Sequence, residues 1–185
     1  MSLRFAILAA LLDGEASGYD LAKRFDVSVA NFWSTTPQQL YRELERMHVD
    51  ELIAAEIVEQ SKRPNKRVFA LTRVGRDALQ EFSAQPTRPV VIRDELLVKV
   101  QALNASAPQS VHKSLVERAA LAQQKLDRYQ RLRSRLLDGR TEEEHLRTTE
   151  NLGPYLTLMG GIALERESLA WAEDAQRILA ARYDL

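Results

Sequence analysis

Apolar positions in the first half of the chain recur with helical spacing before and after a short segment that contains two strand-like runs. Leu40, Leu44 and Met47 lie at i, i+4 and i+7, which predicts an amphipathic helix with one buried face. Residues 56–60 and 67–71 are β-prone runs, and the turn residues between them predict a hairpin. A helix, a hairpin and the apolar segments around them indicate a small mixed domain.

Helix-capping residues mark where the predicted helices of this half begin. Thr36 and Gln39 flank Pro37 in the order of a capping box, with proline at the first helical position. Two further caps are predicted, at Ser17 with Asp20 as its partner and at Thr72. With an apolar helix over residues 3–12, the predicted order is helix, helix, capped helix, hairpin, helix.

The second half has the pattern of long helices. Residues 93–103 form one short helix, Pro108 opens a long one that ends at Gly139, and a last helix runs from about Leu152 to Tyr183. The apolar seam of the long helix recurs about every 3.6 residues and consists of Val111, Leu115, Ala119, Ala122, Leu126, Tyr129, Leu132 and Leu136. Two long helices with one seam each need a third surface, most simply a second copy of the same pair.

Two prolines separate these halves. Pro86 and Pro89 cannot continue a helix and favour an extended connector, so we expect one domain at 1–86 and another at 87–185. The predicted fold class is mainly α, with helices and a small β-hairpin in the first domain and helices alone in the second.

Composition narrows the class of protein. Apolar residues make up 45 % of the 185 residues, which is enough for a packed core. Lys and Arg number 26, as do Asp and Glu, so an affinity for nucleic acid requires a local basic patch. The chain has no cysteine, which excludes disulfide scaffolds and thiolate zinc sites. No apolar run reaches the ~18 residues that span a bilayer, and the short N-terminal run lacks a cleavage pattern. We expect a cytoplasmic protein without a membrane partner.

Enzyme chemistry has little support in the sequence. His48, His112 and His145 are far apart, and each is expected to be solvated or close to a helix end. Glu142 and His145 have the spacing of a di-iron bundle ligand pair, but the second copy that such a site needs is missing. No glycine-rich phosphate loop is present. We therefore expect no catalytic residues, no metal and no cofactor.

The capped third helix carries a better candidate site. Its face opposite Leu40 holds Gln38, Arg42, Glu45 and Val49, with Gln39 and Arg46 beside them. Gln and Arg are the residue types that read adenine and guanine edges in the major groove. Ser34, Thr35 and Thr36 precede the helix, where hydroxyls and free N–H groups bind phosphate. For Glu45 three options remain open: accepting from cytosine, pairing with Arg42, or lying clear of DNA.

The hairpin tip contains the densest basic cluster of the chain, consisting of Lys62, Arg63, Lys66 and Arg67. A solvated loop is a common use of such residues. Next to a capped reading helix, a wing that contacts the DNA backbone is the favoured interpretation.

These segments, in this order, resemble the PadR-like transcriptional regulators, in the longer form with a helical C-terminal domain. The resemblance is carried by residues 6–8, 17–25, 32–33, 38–44, 63–72, 75–79 and 93–99. It implies a winged helix-turn-helix repressor that binds palindromic operators as a homodimer through its C-terminal helices. It assigns DNA contact to Gln38, Gln39, Tyr41 and Arg42 and to the wing residues 62–67.

Two positions differ from the family pattern. Glu51 stands where the family usually has glycine, so we expect the third helix to end differently, with Asp50 as its cap. Arg42 stands where many members have proline, although members of the longer form often have arginine there.

Some members of the family release DNA on binding phenolic acids or drugs, so we also expect a small aromatic effector. Trp33, Trp171, Tyr129, Tyr155 and Met159 could line its site, although core packing is the more frequent use of such residues. The alternative function is a small-molecule sensor whose winged domain no longer binds DNA. An enzyme built in the helical half is the weaker alternative.

Overall fold

The computed structural model of the chain describes residues 3–25, 35–59, 65–87, 89–105, 107–150 and 152–185. The chain divides into two compact units, Met1–Arg88 and Pro89–Leu185. The first combines helices with a small antiparallel sheet, and the described residues of the second contain helices alone. The predicted fold class is therefore confirmed.

The first unit alternates short helices with three strands. In chain order its elements are α1 (Leu3–Ala10), β1 (Ala16–Ser17), α2 (Gly18–Arg24), α3 (Pro37–Val49), β2 (Ile53–Val58), β3 (Lys66–Leu71) and α4 (Arg73–Ala84). The predicted hairpin is present as β2 and β3, and β2 begins three residues before the prediction. The sheet order is β1-β3-β2, with Ile53 opposite Leu71 and Ala16 opposite Phe69. Strand β1 was not predicted.

One apolar core holds the first unit together. The predicted face of α3 is buried through Leu40, Leu44 and Met47. It packs with apolar side chains of α1, α2 and the sheet, including Ile7, Leu8, Leu11, Leu21, Phe25, Ile53 and Phe69. The predicted caps of the neighbouring helices are confirmed, because Ser17 Oγ accepts from the Asp20 amide and Thr72 Oγ1 accepts from the Gly75 amide. In α2 and in α4, the cap side chain thus provides an acceptor for one of the first-turn N–H groups that have no partner within the helix.

The end of α3 departs from ordinary helix geometry. Glu51 has a φ of 57°, in the left-handed region. Its amide donates to the His48 carbonyl at 3.1 Å, and the Leu52 amide donates to the Met47 carbonyl at 2.9 Å. This pair of bonds is the Schellman motif, which places Glu51 at the position that glycine favours. Asp50 is the capping residue as predicted, although its carboxylate pairs with Arg4.

Thr72 joins this helix end to α4. Its hydroxyl donates to the carbonyls of Glu51 at 2.7 Å and Leu52 at 2.9 Å, while it also accepts from Gly75. A Cβ at Gly75 would overlap the Leu52 carbonyl oxygen. The absence of a side chain at Gly75 therefore allows α4 to start directly against the end of α3.

The second unit is organised around two long helices. Its elements are α5 (Glu95–Gln101), a 3-10 turn (Leu103–Ala105), α6 (Pro108–Leu137), α7 (Glu142–Thr148) and α8 (Leu152–Tyr183). Helices α6 and α8 pack against each other and bury most of the predicted seam of α6, largely in two clusters, whereas Leu136 at the end of this seam is exposed. Helix α7 was not predicted. No helix within the described residues is long and apolar enough to cross a membrane.

A buried histidine corrects one sequence expectation. His145 of α7 is only 4 % exposed, and its ring packs against Tyr155 of α8. Neither of its ring nitrogens has a hydrogen-bond partner among the residues that the structure describes. His145 lies in the last turn of α7, as the expectation of a histidine close to a helix end allows. The expectation of a solvated side chain is wrong here, because α7 is a separate helix that turns this side chain inward. Among the described residues, no group of three or more His, Cys, Asp or Glu side chains could hold a metal ion.

A polar cluster surrounds Tyr155. The tyrosine hydroxyl donates to Glu142 at 2.6 Å and accepts from Arg133 at 3.1 Å, and Arg133 also pairs with Glu142. The Tyr155 hydrogen bond, and then the charge of Arg133, lower the pKa of the Glu142 carboxyl, while burial raises the pKa of Tyr155. Of the other candidates for an effector site, Trp171 packs in the apolar cluster around Leu115, whereas Tyr129 and Met159 pack in a separate cluster around Leu158.

Candidate nucleic-acid interface

The candidate interface is built on the exposed side of α3. Its start is the predicted capping box: Thr36 Oγ1 accepts from the Gln39 amide at 3.2 Å, and Gln39 Oε1 accepts from the Thr36 amide at 3.0 Å. No acidic residue lies in the first turn of α3. The positive end of the helix dipole, together with the hydroxyls of Thr35 and Thr36, therefore favours binding of an anion such as phosphate at the start of α3.

The face of α3 opposite the buried side chains Leu40, Leu44 and Met47 is exposed, as the apolar spacing predicts. This face carries Gln38, Tyr41, Arg42, Glu45 and Val49. Among the described residues no acid pairs with Arg42, so its guanidinium is available for a base edge or a phosphate. The carbonyl oxygen of Gln39 is occupied by the cap, which leaves its amide nitrogen as the group that could reach a ligand.

Helix α2 extends this surface beyond what sequence reasoning identified. Gly18 lies directly under the ring of Tyr41, and a Cβ at Gly18 would overlap that ring. Tyr19 is 62 % exposed, and the Lys23 ammonium lies 4.5 Å from its ring centroid. Two exposed tyrosines and a lysine thus lie near the exposed face of α3. The Ser-Gly-Tyr sequence at the start of α2 was the available signal.

The acid on this face has a partner that the sequence did not suggest. Glu45 forms an ion pair with Arg67 of β3. The Arg67 guanidinium also lies 5.2 Å from the ring centroid of Phe69, which is buried. Of the three options that the sequence left open for Glu45, pairing with Arg42 is not observed, because Arg67, a strand residue distant in sequence, pairs with it instead.

The wing residues are only partly within the described structure. Lys66, the first residue of β3, is exposed and opposite Val58. The Ser17 hydroxyl, with a smaller contribution from the charge of Lys66, lowers the pKa of the Asp20 carboxyl. Lys66 is thus within electrostatic range of α2, and Arg67 contacts α3 through its ion pair with Glu45. Ser34, Lys62 and Arg63, and the aromatic candidate Trp33, lie outside the described residues.

Comparison with known proteins identifies the family. The model of the transcriptional regulator PadR-like family matches residues 7–81, and the model described as virulence activator alpha C-term matches residues 92–180. A probable transcriptional regulator of Mycobacterium tuberculosis, Rv1176c, is 30 % identical over 195 residues, with 97 % of this chain and 98 % of the relative covered. The chain belongs to the PadR-like family of transcriptional regulators.

Other members of the PadR-like family align over nearly the full chain. The negative transcriptional regulator PadR of Bacillus subtilis is 27 % identical over 173 residues, covering 92 % of this chain and 93 % of that protein. Its crystal structure in complex with operator DNA has a TM-score of 0.79, at 23 % identity, and covers 95 % of this chain and 97 % of that one. Another structure of the same protein, in complex with p-coumaric acid, has a TM-score of 0.71, at 23 % identity, and covers 96 % of this chain and 98 % of that one.

Membership of the PadR-like family confirms two sequence predictions. The resemblance drawn from the ordered segments of the first half is correct. The chain is a transcriptional regulator and not an enzyme, as the lack of a paired acid–base set or phosphate loop indicated. The winged fold expected from that resemblance is also the fold of the solved PadR structures.

Proposed function

We propose that this PadR-like regulator is a repressor that binds palindromic operator DNA as a homodimer. The observation that carries the proposal is the capped start of α3, where exposed Gln38 and Arg42 follow a helix end that attracts phosphate. The Bacillus subtilis relative is a negative transcriptional regulator, and its structure with operator DNA supports the same function here.

In this proposal, different residues contact the base edges and the DNA backbone. Gln38 and Arg42, near the start of α3, contact base edges in the major groove. Thr35, Thr36 and the helix N-terminus hold one phosphate, and Ser34, just before them in sequence, is assigned the same role. The wing residues Lys66 and Arg67, together with Lys62 and Arg63, contact the DNA backbone. Tyr41 and Gln39 lie at the edge of the reading face, and Tyr19 and Lys23 extend it.

A pair of variants tests this division. Arg42→Ala is expected to reduce affinity for operator more than affinity for random DNA, because a good bidentate base contact contributes ~1–3 kcal/mol of discrimination. Lys66→Ala is expected to weaken both equally and to reduce the slope of log K against log salt by ~0.9, since one phosphate contact is lost. The operator is first selected from random duplexes, and each variant is then titrated at several salt concentrations.

Arg177→Ala is a matched control, because Arg177 is an exposed, ion-paired arginine of α8 in the other unit. Its binding curves should match those of the unchanged protein. If Lys66→Ala lost specificity for operator over random DNA, while Arg42→Ala lost affinity for both equally, the two assignments would have to be exchanged. Unchanged binding in both variants would contradict the DNA-binding function.

A homodimer explains the apolar side chains that the second unit leaves exposed. On α8, the face that points away from α6 carries Leu152, Leu156 and Leu164 at multiples of four residues, with Gly160 at the remaining place. A second copy that covers this row would present two α3 helices to successive major grooves, ~34 Å apart. Palindromic operators follow from such two-fold symmetry.

The proposal includes release by a small aromatic effector. The p-coumaric acid complex of the Bacillus subtilis relative supports an effector of this class. A ligand acts only through its different affinity for the DNA-bound and free arrangements. A panel of phenolic acids that weakens operator binding and changes tryptophan fluorescence would support this part, and a panel without effect on either would contradict it.

A further inference from the structure

Glu45 presents a negative charge on the side of α3 that the proposed function directs toward DNA. It lies on the same helix face as Gln38 and Arg42, about two turns beyond the start, and its side chain is 57 % exposed. A carboxylate near phosphates opposes binding to every DNA sequence. Such a charge is tolerable in a DNA-facing position only where it has a compensating partner and a base that favours it.

Arg67 supplies the compensating charge from a rigid support. Its Nη1 atom pairs with Oε1 of Glu45, which joins β3 to α3 across the surface. Beneath it lies the ring of Phe69, which is buried in the core of the unit. The guanidinium is therefore held between a carboxylate and an aromatic face, and it fixes where the carboxylate lies. The second oxygen, Oε2, does not take part in this ion pair.

Base chemistry then determines which base pair suits this carboxylate. In the major groove guanine and thymine present acceptors, which repel a carboxylate, and adenine presents its N7 acceptor beside the N6 donor. Cytosine presents the N4 donor, which is the base group that Glu and Asp accept from. A carboxylate held in place therefore favours cytosine by attraction and disfavours guanine and thymine by repulsion. Adenine is less favoured than cytosine because its N7 acceptor lies beside the N6 donor.

We propose that Glu45 is a specificity-determining residue that selects cytosine at one position of each operator half-site, with Arg67 as its positioning residue. This inference rests on the proposed function, since it requires α3 to enter the major groove. It assigns Arg67 a role different from a plain backbone contact: the arginine neutralises and orients the acid instead of serving the phosphates alone.

The test compares Glu45→Gln with the unchanged protein by selection from random duplexes and by titration. The amide keeps the size of the side chain and an oxygen for Arg67, and it removes the charge. The cytosine preference at one symmetric position should fall about five- to tenfold, with a shift toward adenine, which Gln reads. Preferences elsewhere in the operator should be unchanged, and affinity for random DNA should rise as repulsion is removed.

The variant Arg67→Met tests whether Arg67 orients the Glu45 carboxylate or only stabilises the packing of β3 against α3. The flexible, uncharged side chain keeps contact with Phe69 but no longer holds the carboxylate, so discrimination at the same position should weaken together with overall affinity. A brace between helix and strand would instead lower affinity without changing any base preference. Asp77→Asn, which removes the acid of an exposed ion pair on α4, is the matched control and should leave every preference unchanged.

The outcomes distinguish this inference from the function it rests on. Selection of the same bases at every position by Glu45→Gln, with operator binding retained, would overturn the role of Glu45 and leave the regulator intact. Failure of the unchanged protein to select any sequence would overturn the proposed function and this inference with it. Circular dichroism of each variant confirms that the exposed substitutions leave the fold in place.

Discussion

Glu51 has a backbone conformation that residues other than glycine and asparagine rarely adopt. Its φ of 57° is required by the Schellman motif that ends α3. A Cβ in the left-handed region costs roughly 1–2 kcal/mol because it crowds the following carbonyl. The family pattern of glycine at this position is thus explained by geometry, and this chain tolerates the penalty.

Glu51→Gly should therefore stabilise the first unit by about 1 kcal/mol, since relief of left-handed strain exceeds the added flexibility of the unfolded chain. Hydrogen exchange of the α3 amides measures this unit separately from the rest of the chain. Glu51→Ala is the control, because alanine keeps the Cβ and should gain little. Equal protection in the glycine and alanine variants would contradict the strain argument.

Residue-level features were predictable where they depend on neighbours in sequence. The Thr36 and Gln39 capping box needs only the local order of four residues, and it is present as predicted. The left-handed backbone of Glu51 belongs to a local motif, but a glutamate does not indicate it, because glycine is the residue that favours this conformation. The burial of His145 depends on how the chain folds back on itself, and no neighbour in sequence indicates it. The DNA contacts assigned to individual residues stay predictions.

At the scale of elements, α5 shows how a helix too short to be stable alone is held in place. It has seven residues, fewer than an isolated helix needs in water. Asp94, its cap, accepts two hydrogen bonds from Arg118 of α6, at 2.8 and 2.9 Å, and another from the Leu96 amide. The Arg118 hydrogen bond is the main cause that lowers the pKa of the Asp94 carboxyl.

Asp94→Asn should reduce the free energy of unfolding by about 1–2 kcal/mol at neutral pH, because a charge-assisted bidentate pair is lost while asparagine still caps. The folded pKa of Asp94 is depressed, so its contribution is complete above the ordinary value of about 3.9 and is lost as the pH falls below it. Urea unfolding at pH 7, 5 and 3.5 measures the difference between variant and unchanged protein. That difference should be constant from 7 to 5 and smaller at 3.5.

The same measurement on Asp77→Asn provides the comparison. Asp77 and Arg73 form an exposed ion pair within α4, which contributes at most about 0.5 kcal/mol. A difference of equal size for both variants, or one for Asp94→Asn that does not change with pH, would argue against the role of the Arg118 pair.

Long periodic elements were predicted well, whereas the two-residue strand β1 and the seven-residue helix α7 were not. Helix α8 spans Leu152–Tyr183, as the apolar spacing indicated, because its seam continues over many turns. Strand β1 has two residues and exists through pairing with Phe69 and Val68, which are more than 50 residues away. The pair formed by Glu45 and Arg67 was missed for the same reason, since helical periodicity does not report which strand lies beside a helix.

At the scale of the whole molecule, the exposed row on α8 is the surface through which the proposed homodimer would form. Leu164 is 69 % exposed, and Leu152 and Leu156 continue the row. In the proposed function, the first unit alone offers one DNA-reading helix, so tight operator binding would depend on a second copy held nearby.

Leu164→Glu should convert a dimer to a monomer at micromolar concentration, because the proposed contact would bury a charge without a partner. Operator affinity should fall by about a hundredfold as the linkage between half-sites is lost. Sedimentation and titration measure the two effects. Leu12→Glu, an equally apolar and exposed position in the first unit, is the control and should stay dimeric. Unchanged sedimentation of Leu164→Glu would remove this face from the interface.

The Thr72 junction has a consequence for how such a regulator changes in evolution. Because Thr72 binds the carbonyls of Glu51 and Leu52, and Ile53 is opposite Leu71, the base of the hairpin is fixed independently of its tip. Lengthening the loop between Val58 and Lys66 then adds only chain-closure entropy, ~0.6 kcal/mol for each doubling. In the proposed function, insertions there would alter how the wing contacts DNA while the end of α3 keeps its hydrogen bonds. New operator preferences can thus arise in a lineage without loss of foldability.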